Sequence, residues 1–242
     1  MSDFNKSQWA KPEFTQEYRD SADIYVVERK RLFEILKSFY RNFVGNRPNR
    51  SVLDLGCGDG ILTDELLKTD GSIRATLIDG SEDMLKNAKE RLKDFKDVRF
   101  VKVSFQEILS KDSILQKYDF VVSSLAIHHL TVEERKALFK TIYSHLNVGG
   151  YFLNIDVVLA PSNNLEQWYL LLWKQWIDER KSILKIEGGS YDDITTRYKD
   201  NSDNKPDVLT GQLEALQQAG FKDVDCFYKY GIFTMYGGKK GQ

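Results

Sequence analysis

Two neighbouring imidazoles, His128 and His129 in "LAIHHL", are the side chains best suited to acid–base work, since an ordinary pKa of about 6.5 lets imidazole take up a proton near neutral pH. The third of the 3 histidines, His145, falls late in a helical window, where a favourable charge at a helix end is the expected role. Upstream, Val52 to Gly60 reads "VLDLGCGDG", an acid and then glycines at alternate positions. Such glycines let a chain turn sharply after a strand, so that a ligand can lie against backbone at a helix start. The dinucleotide fingerprint G-x-G-x-x-G has its last glycine one position later and faces a pyrophosphate. Here Asp54 and Asp59 crowd the loop, which disfavours phosphate and favours a ligand carrying positive charge. Another acid, Asp79 in "TLIDGS", ends the next apolar run, where a carboxylate can accept both hydroxyls of a ribose.

Such residues act together only if a frame brings several strand ends to one edge. Five apolar runs, Ser51 to Leu55, Arg74 to Asp79, Val98 to Val103, Tyr118 to Ser123 and Tyr151 to Val157, alternate with helical windows. Met84, Leu85, Ala88 and Leu92 share one helical face. "TVEE" from Thr131 to Glu134 is a capping box, and its helix continues through Leu138, Phe139, Ile142, Tyr143 and Leu146 to a turn at Asn147, Gly149 and Gly150. The alternation predicts an α/β, Rossmann-like, doubly wound and mostly parallel sheet. It becomes seven-stranded if "FKDVDCFYKYGIFTMYGG" adds two antiparallel strands at one edge, after a helix from Thr210 to Ala219 closed by Gly220.

The chain of 242 residues, 41% hydrophobic, is read as one domain. Within it, 1–50 is an N-terminal helical cap, with one helical segment from Ala22 to Val44, and 51–160 is the ligand-binding core. The stretch 161–206 is a helical lid insertion, and 207–242 supplies the last helix and the sheet-edge strands. Lys+Arg 35 against Asp+Glu 36 leaves a net charge of -1, so no global basic field exists to hold a polyanion and nucleic acid is not the expected partner. Arg41, Arg47 and Arg50, with Arg29, Lys30 and Arg31 before them, are read as a solvated face, contact with RNA being the alternative. Cys57 and Cys226 belong to no metal-ligand cluster, and metal is not expected. With no signal segment and no apolar run of membrane-spanning length, the expectation is a cytoplasmic protein away from membranes.

In order along the chain, "VLDLGCGDG", "LIDGSEDML", "VRFVKVSFQEIL", "YDFVVSSLAIHHL" and "HLNVGGYFLNID" resemble the class I S-adenosylmethionine-dependent methyltransferases, over roughly Ser51 to Val157. The resemblance implies S-adenosylmethionine as cofactor, S-adenosylhomocysteine as product and a small-molecule methyl acceptor. It implies that Asp54, Gly56, Cys57, Gly58 and Gly60 surround the methionine part and that Asp79, with Gly80 and Ser81 beside it, holds the ribose. Met84 would pack near the adenine, Ser104 and Phe105 would flank its amino group, and Ser123 would complete the contacts. "AIHHL" is similar to phosphoethanolamine-type N-methyltransferases, whose substrate-facing histidine matches His129; Leu125 stands where that family has an acid. His129, His128 and Tyr18 are the catalytic candidates on this basis.

Tyr25, Trp168, Trp173 and Arg197 are the candidates for binding the acceptor. Tyr18 and Tyr25 precede the first strand, where related enzymes close over the cofactor; packing of an amphipathic helix is the alternative role. Trp168, Trp173 and Trp176 either dock the lid or receive an aromatic or cationic substrate. "LTGQLEALQQAGF" and the aromatic tail are similar to carboxy-S-adenosylmethionine synthase, which has an arginine that holds a carboxylate at the distance of Arg197, and a "GCSLG" loop in place of "GCGDG". The acceptor's identity and the oligomeric state, including a homodimer, stay open.

Overall fold

The computed structural model describes residues 4–111, 116–186, 198 and 201–241; Arg197 lies outside the described residues. Five parallel strands come first: β1 (Ser51–Leu55), β2 (Arg74–Asp79), β3 (Val98–Lys102), β4 (Tyr118–Ser124) and β5 (Leu146–Val157). Then β6 (Phe221–Tyr230) and β7 (Phe233–Lys240) form a hairpin that inserts β7 antiparallel against β5. The sheet order is β3-β2-β1-β4-β5-β7-β6, the doubly wound seven-stranded arrangement expected from the alternation.

Alternation along each strand sorts the core into two layers. Val52, Phe120 and Leu153 point to one face, where α2 (Arg29–Phe43), α3 (Ile61–Thr69) and α4 (Glu82–Arg91) supply Leu36, Leu66 and Leu85. Their neighbours Leu53, Val121 and Phe152 point to the other, covered by α6 (Val132–His145) and α8 (Leu209–Gln218) through Phe139 and Leu216, while α5 (Phe105–Lys111) adds Ile108. The capping box at Thr131 is present in full: its hydroxyl accepts the Glu134 N–H, and the Glu134 carboxylate accepts the Thr131 N–H.

The N-terminal region departs from the single helix expected over Ala22 to Val44. Two helices form, α1 (Pro12–Tyr25) and α2, joined by a reversal in which Glu28 takes a left-handed φ of 52°. Val26 and Val27 are both buried at this joint, which a solvent-facing run of helix could not achieve. The fifth strand also begins earlier than Tyr151. Pairing jumps from Tyr118–Leu146 to Phe120–Tyr151, so the expected turn at Asn147 to Gly150 is a bulge carried within the strand. Arg47 pins that bulge by donating to the carbonyls of Val148 and Gly149 and pairing with Asp119 at 3.0 Å.

After β5 comes α7 (Asn163–Leu184), 22 residues long. Trp173 and Ile177 are its buried contacts, and the Trp173 indole N–H donates to the Tyr25 carbonyl at 2.8 Å, fastening α7 to α1. No helix among the described residues is long and apolar enough to cross a membrane.

Candidate active site

The carboxyl ends of β1, β2, β4 and β5 open onto a cavity of about 380 Å³. At β1 the chain turns through Gly56, with φ +66°, where a Cβ would come within 2.5 Å of the Ala126 methyl, so only glycine passes. The Gly56 and Cys57 N–H groups both donate to the Ile78 carbonyl, the Gly58 N–H to Asp79 Oδ2 at 2.9 Å, and the Gly60 N–H to the Cys57 carbonyl. A phosphate cradle needs such donors free. Here the loop spends these four internally and presents carboxylates in their place.

Asp54 is buried at the end of β1, with Oδ2 accepting the Thr63 hydroxyl at 2.6 Å and Oδ1 without a hydrogen-bond partner. Burial pushes its carboxyl up to about 7. Asp79, at the end of β2, accepts N–H bonds from Gly58 and Ser81, and burial raises its carboxyl as well. Asp59 sits at the rim, paired with Arg91 at 2.5 Å. A buried carboxylate oxygen without a donor is costly unless a cationic donor meets it. The ammonium of an amino-acid ligand fits that place, and the lining residues Met84 and Phe105 give an adenosyl group apolar contact next to Asp79.

Across the cavity stand Trp9, Tyr18, Arg29, Phe33, His129 and Lys205. His129 ends a 3₁₀ turn (Ile127–His129) directly after β4. Its Nδ1 lies 3.1 Å from the Asp203 carbonyl. A carbonyl can only accept, so Nδ1 carries the hydrogen and Nε2 keeps its lone pair. That Nε2 is buried without a partner, and burial, then the adjacent His128, holds the imidazole pKa well below 6.5. His128 points away from the cavity into the sheet edge, its Nδ1 2.6 Å from Asp156 Oδ1. Trp9 meets both His129 and Tyr18 edge-on, at 5.4 and 5.0 Å between ring centres. Burial pushes the Tyr18 phenol up to about 12, so it is a hydrogen-bond donor and no base.

The cavity gathers Asp54, Gly56, Cys57, Gly58, Asp79, Gly80, Met84, Ser104, Phe105, Tyr18 and His129 from among the expected site residues. Others fall outside it. Gly60 starts α3 with φ +77°, packed on Ala88 and Leu92; Ser81 caps α4 through the Met84 N–H; Ser123 donates to the Leu55 carbonyl between β1 and β4. Ser104 caps its own helix with Glu107, so its hydroxyl is engaged although it borders the cavity. Tyr25 and Trp173 join α1 to α7, and Trp168 is 52% exposed on the outer face of α7. The substrate contact expected of Trp168 is therefore not where the structure puts it, because its helical face turns to solvent.

Asp203 and Lys205 in the cavity wall and Asp156 behind it, bonded to His128, had no assigned role in the sequence reading, and Arg29 was read only with a basic helix face. Asp156 carried a readable signal, since it interrupts the apolar end of β5 as Asp79 does that of β2. Asp203 and Lys205 lie in a polar run with no periodicity. Among the described residues no group of three or more His, Cys, Asp or Glu could hold a metal ion.

Residues 52–150 match the model of the methyltransferase domain family. With the fold and the acid-rimmed glycine loop, this match makes residues 52–150 similar to the methyltransferase domain of the class I, S-adenosylmethionine-dependent type. Over 198 residues it is 28% identical to carboxy-S-adenosyl-L-methionine synthase of Helicobacter pylori, covering 80% of this chain and 75% of that protein. An O-methyltransferase family protein from Burkholderia thailandensis shares the fold with a TM-score of 0.66 at 13% identity; the match covers 98% of this chain and 63% of that one. Magnesium protoporphyrin IX methyltransferase from Synechocystis PCC 6803, solved with bound SAH, matches over 96% of both chains with a TM-score of 0.65 at 14% identity.

Proposed function

We propose that the protein transfers the methyl group of S-adenosylmethionine to an N, O or S nucleophile of a small molecule, with His129 as the general base. The observation that carries this reading is the bare, buried Nε2 of His129, which borders the same cavity as the unpartnered Oδ1 of Asp54. When bound, S-adenosylmethionine supplies a methyl group already activated by its sulfonium. What this chain adds is position and proton removal. Asp54 would take the ammonium, Asp79 the ribose hydroxyls, and Met84 and Phe105 the adenine. A neutral imidazole bordering the cavity, with its Nε2 lone pair unpartnered, would accept the acceptor's proton, and the Asp203 carbonyl would hold the resulting imidazolium by its Nδ1–H. Tyr18, protonated at neutral pH, would donate a hydrogen bond that orients the acceptor.

A net charge of -1 supports a small acceptor over nucleic acid, and two free thiols, Cys57 and Cys226, support a cytoplasmic setting. The test is calorimetric titration with S-adenosylmethionine and S-adenosylhomocysteine, followed by tritiated-methyl transfer to a panel of phenols, amines and thiols. Binding of both ligands with transfer that His129→Asn abolishes is the expected result; no binding at millimolar ligand refutes it.

A second reading has its own observation, the likeness to carboxy-S-adenosyl-L-methionine synthase along 80% of the chain. On that reading the protein makes a carboxyl-bearing form of the cofactor. Mass spectrometry of the ligand that co-purifies with the protein separates the two, because a carboxylated adenosyl sulfonium has a mass unlike that of the methyl donor or its product.

A further inference from the structure

Two segments distant in sequence meet over the cavity. The N-terminal arm consists of two 3₁₀ turns, Phe4–Lys6 and Gln8–Ala10. Phe4 packs on the Gly80 backbone beside Asp79, within 3 Å of where a Cβ at Gly80 would sit, while Trp9 packs on His129 and Tyr18. One short arm thus roofs both halves of the cavity. The segment 201–205 docks against the histidine turn: the Lys205 N–H donates to the His128 carbonyl at 2.7 Å, and Arg135 reaches the Lys205 carbonyl from α6. Asp203 stands where arm and segment touch. Its carboxylate Oδ2 accepts the Gln8 N–H at 3.1 Å, and its carbonyl accepts Nδ1–H of His129 at 3.1 Å.

We propose that Asp203 is a positioning residue that couples closure of the arm to assembly of the base: its carboxylate latches the arm through Gln8 while its carbonyl fixes His129 in the tautomer with Nε2 bare. The inference rests on His129 being the base. An imidazole without this carbonyl exchanges its proton between the two nitrogens, and the form protonated at Nε2 cannot take a proton from an acceptor. An open arm exposes Trp9, Tyr18 and the reacting centre to water. With one residue engaged on both sides, the reactive tautomer is held only while the roof is on, so donor and base meet in a closed chamber.

The experiment needs no acceptor. The chain has 3 histidines, so two-bond proton–nitrogen correlations on histidine-labelled protein resolve the tautomer of each. S-adenosylhomocysteine is the ligand used, and trypsin cleavage at Lys6, which is followed by Ser7, reports the arm. Wild type with ligand should show His129 in the Nδ1–H tautomer and slow cleavage. Asp203→Ala removes one hydrogen bond to a charged acceptor, which shifts the arm toward open by roughly 10- to 100-fold. Faster cleavage should come with averaged His129 nitrogen shifts. Asp203→Asn keeps an acceptor oxygen and should restore both. Should Asp203→Ala open the arm and leave the His129 tautomer unchanged, or leave both unchanged, the coupling is refuted. A failure of the base assignment shows up separately, as methyl transfer that survives His129→Asn.

Discussion

Asp54 makes ligand affinity depend on pH in a direction and size that follow from its burial. Its carboxyl, ordinarily near 3.8, is pushed up to about 7 by desolvation, so the unliganded protein holds it half protonated at neutral pH. A ligand ammonium at the unpartnered Oδ1 requires the ionised form and returns the pKa to the ordinary carboxylate range. Below pH 7, affinity should therefore fall about tenfold per unit, or about 100-fold by pH 5. Asp79, also raised by burial, adds to the slope with the same sign. The stability of the unliganded fold moves the other way. An acid whose folded pKa lies above its unfolded value destabilises the fold increasingly as pH rises past the unfolded pKa, in full above the folded pKa, and the penalty is relieved as pH falls from about 7 toward 3.8. Worked over that interval, the penalty at pH 8 is about 4 kcal/mol. Asp54→Asn should consequently melt higher than wild type without ligand at pH 8, keep less than half of that advantage at pH 5, and bind S-adenosylhomocysteine at least ~10-fold more weakly at pH 8. Calorimetric titration of both proteins from pH 5 to 8, with melting curves alongside, tests this. Equal wild-type affinity at pH 5 and pH 8, or full affinity in Asp54→Asn, refutes the assignment of Oδ1 to the ammonium.

Replacing His129 by Asn should leave S-adenosylhomocysteine affinity within about twofold and lower methyl transfer by ~10²–10⁴. In wild type, with the imidazole held well below 6.5, transfer at saturating donor should stay flat as pH falls through 6.5 and decline only further into acid, where Nε2 becomes protonated; a pH profile of kcat reads this apart from the loss of donor affinity. Gly60→Ala forces a side chain into φ +77° with Ala88 and Leu92 at 3.2 Å, and should cost roughly 1–3 kcal/mol in urea unfolding. The two tryptophans of α7 should separate in the same assay. Trp173→Ala empties a buried site and breaks the bond to Tyr25 at a cost of roughly 3–5 kcal/mol, whereas Trp168→Ala on the exposed face should stay within about 0.5 kcal/mol.

The frame and the donor half of the cavity were legible because their determinants are local. Strand alternation, the capping box at Thr131 and glycines forced by positive φ act over a few residues each, so the order of blocks from Ser51 to Val157 carries the parallel sheet. What escaped were decisions made by contacts across the chain. The break at Glu28 follows from burying Val26 and Val27 against the sheet, and the bulge in β5 is held by Arg47 from before β1. Arg47, read as part of a solvated basic face, is spent on that structural task. Likewise nothing in "AIHHL" says which imidazole borders the cavity; the rings lie 4.0 Å apart, and Asp156, closing β5, takes one while the Asp203 carbonyl, beyond α7, takes the other.

The same contrast explains why the donor is readable and the acceptor is not. Asp54 and Asp79 lie on two adjacent parallel strands, Gly58 in the turn after the first, and pairing of Asp54 with Leu77 sets the Asp79 carboxylate beside the Gly58 N–H with no help from the rest of the chain. The opposite wall joins Gln8 to Asp203 and His129 to Asp203, contacts spanning 195 and 74 residues. No local propensity encodes such pairs; they form when arm, histidine turn and the segment before α8 close on one another. A wall assembled in this way can change the shape of its acceptor pocket by substitutions in the arm or after α7 while the donor site stays intact, since the two halves share the cavity but few of the residues that build it. On the proposed reading, exchanging Trp9 in the arm, or Arg29 or Lys205 in the wall beneath it, should alter which nucleophile is methylated before it alters how the donor is held.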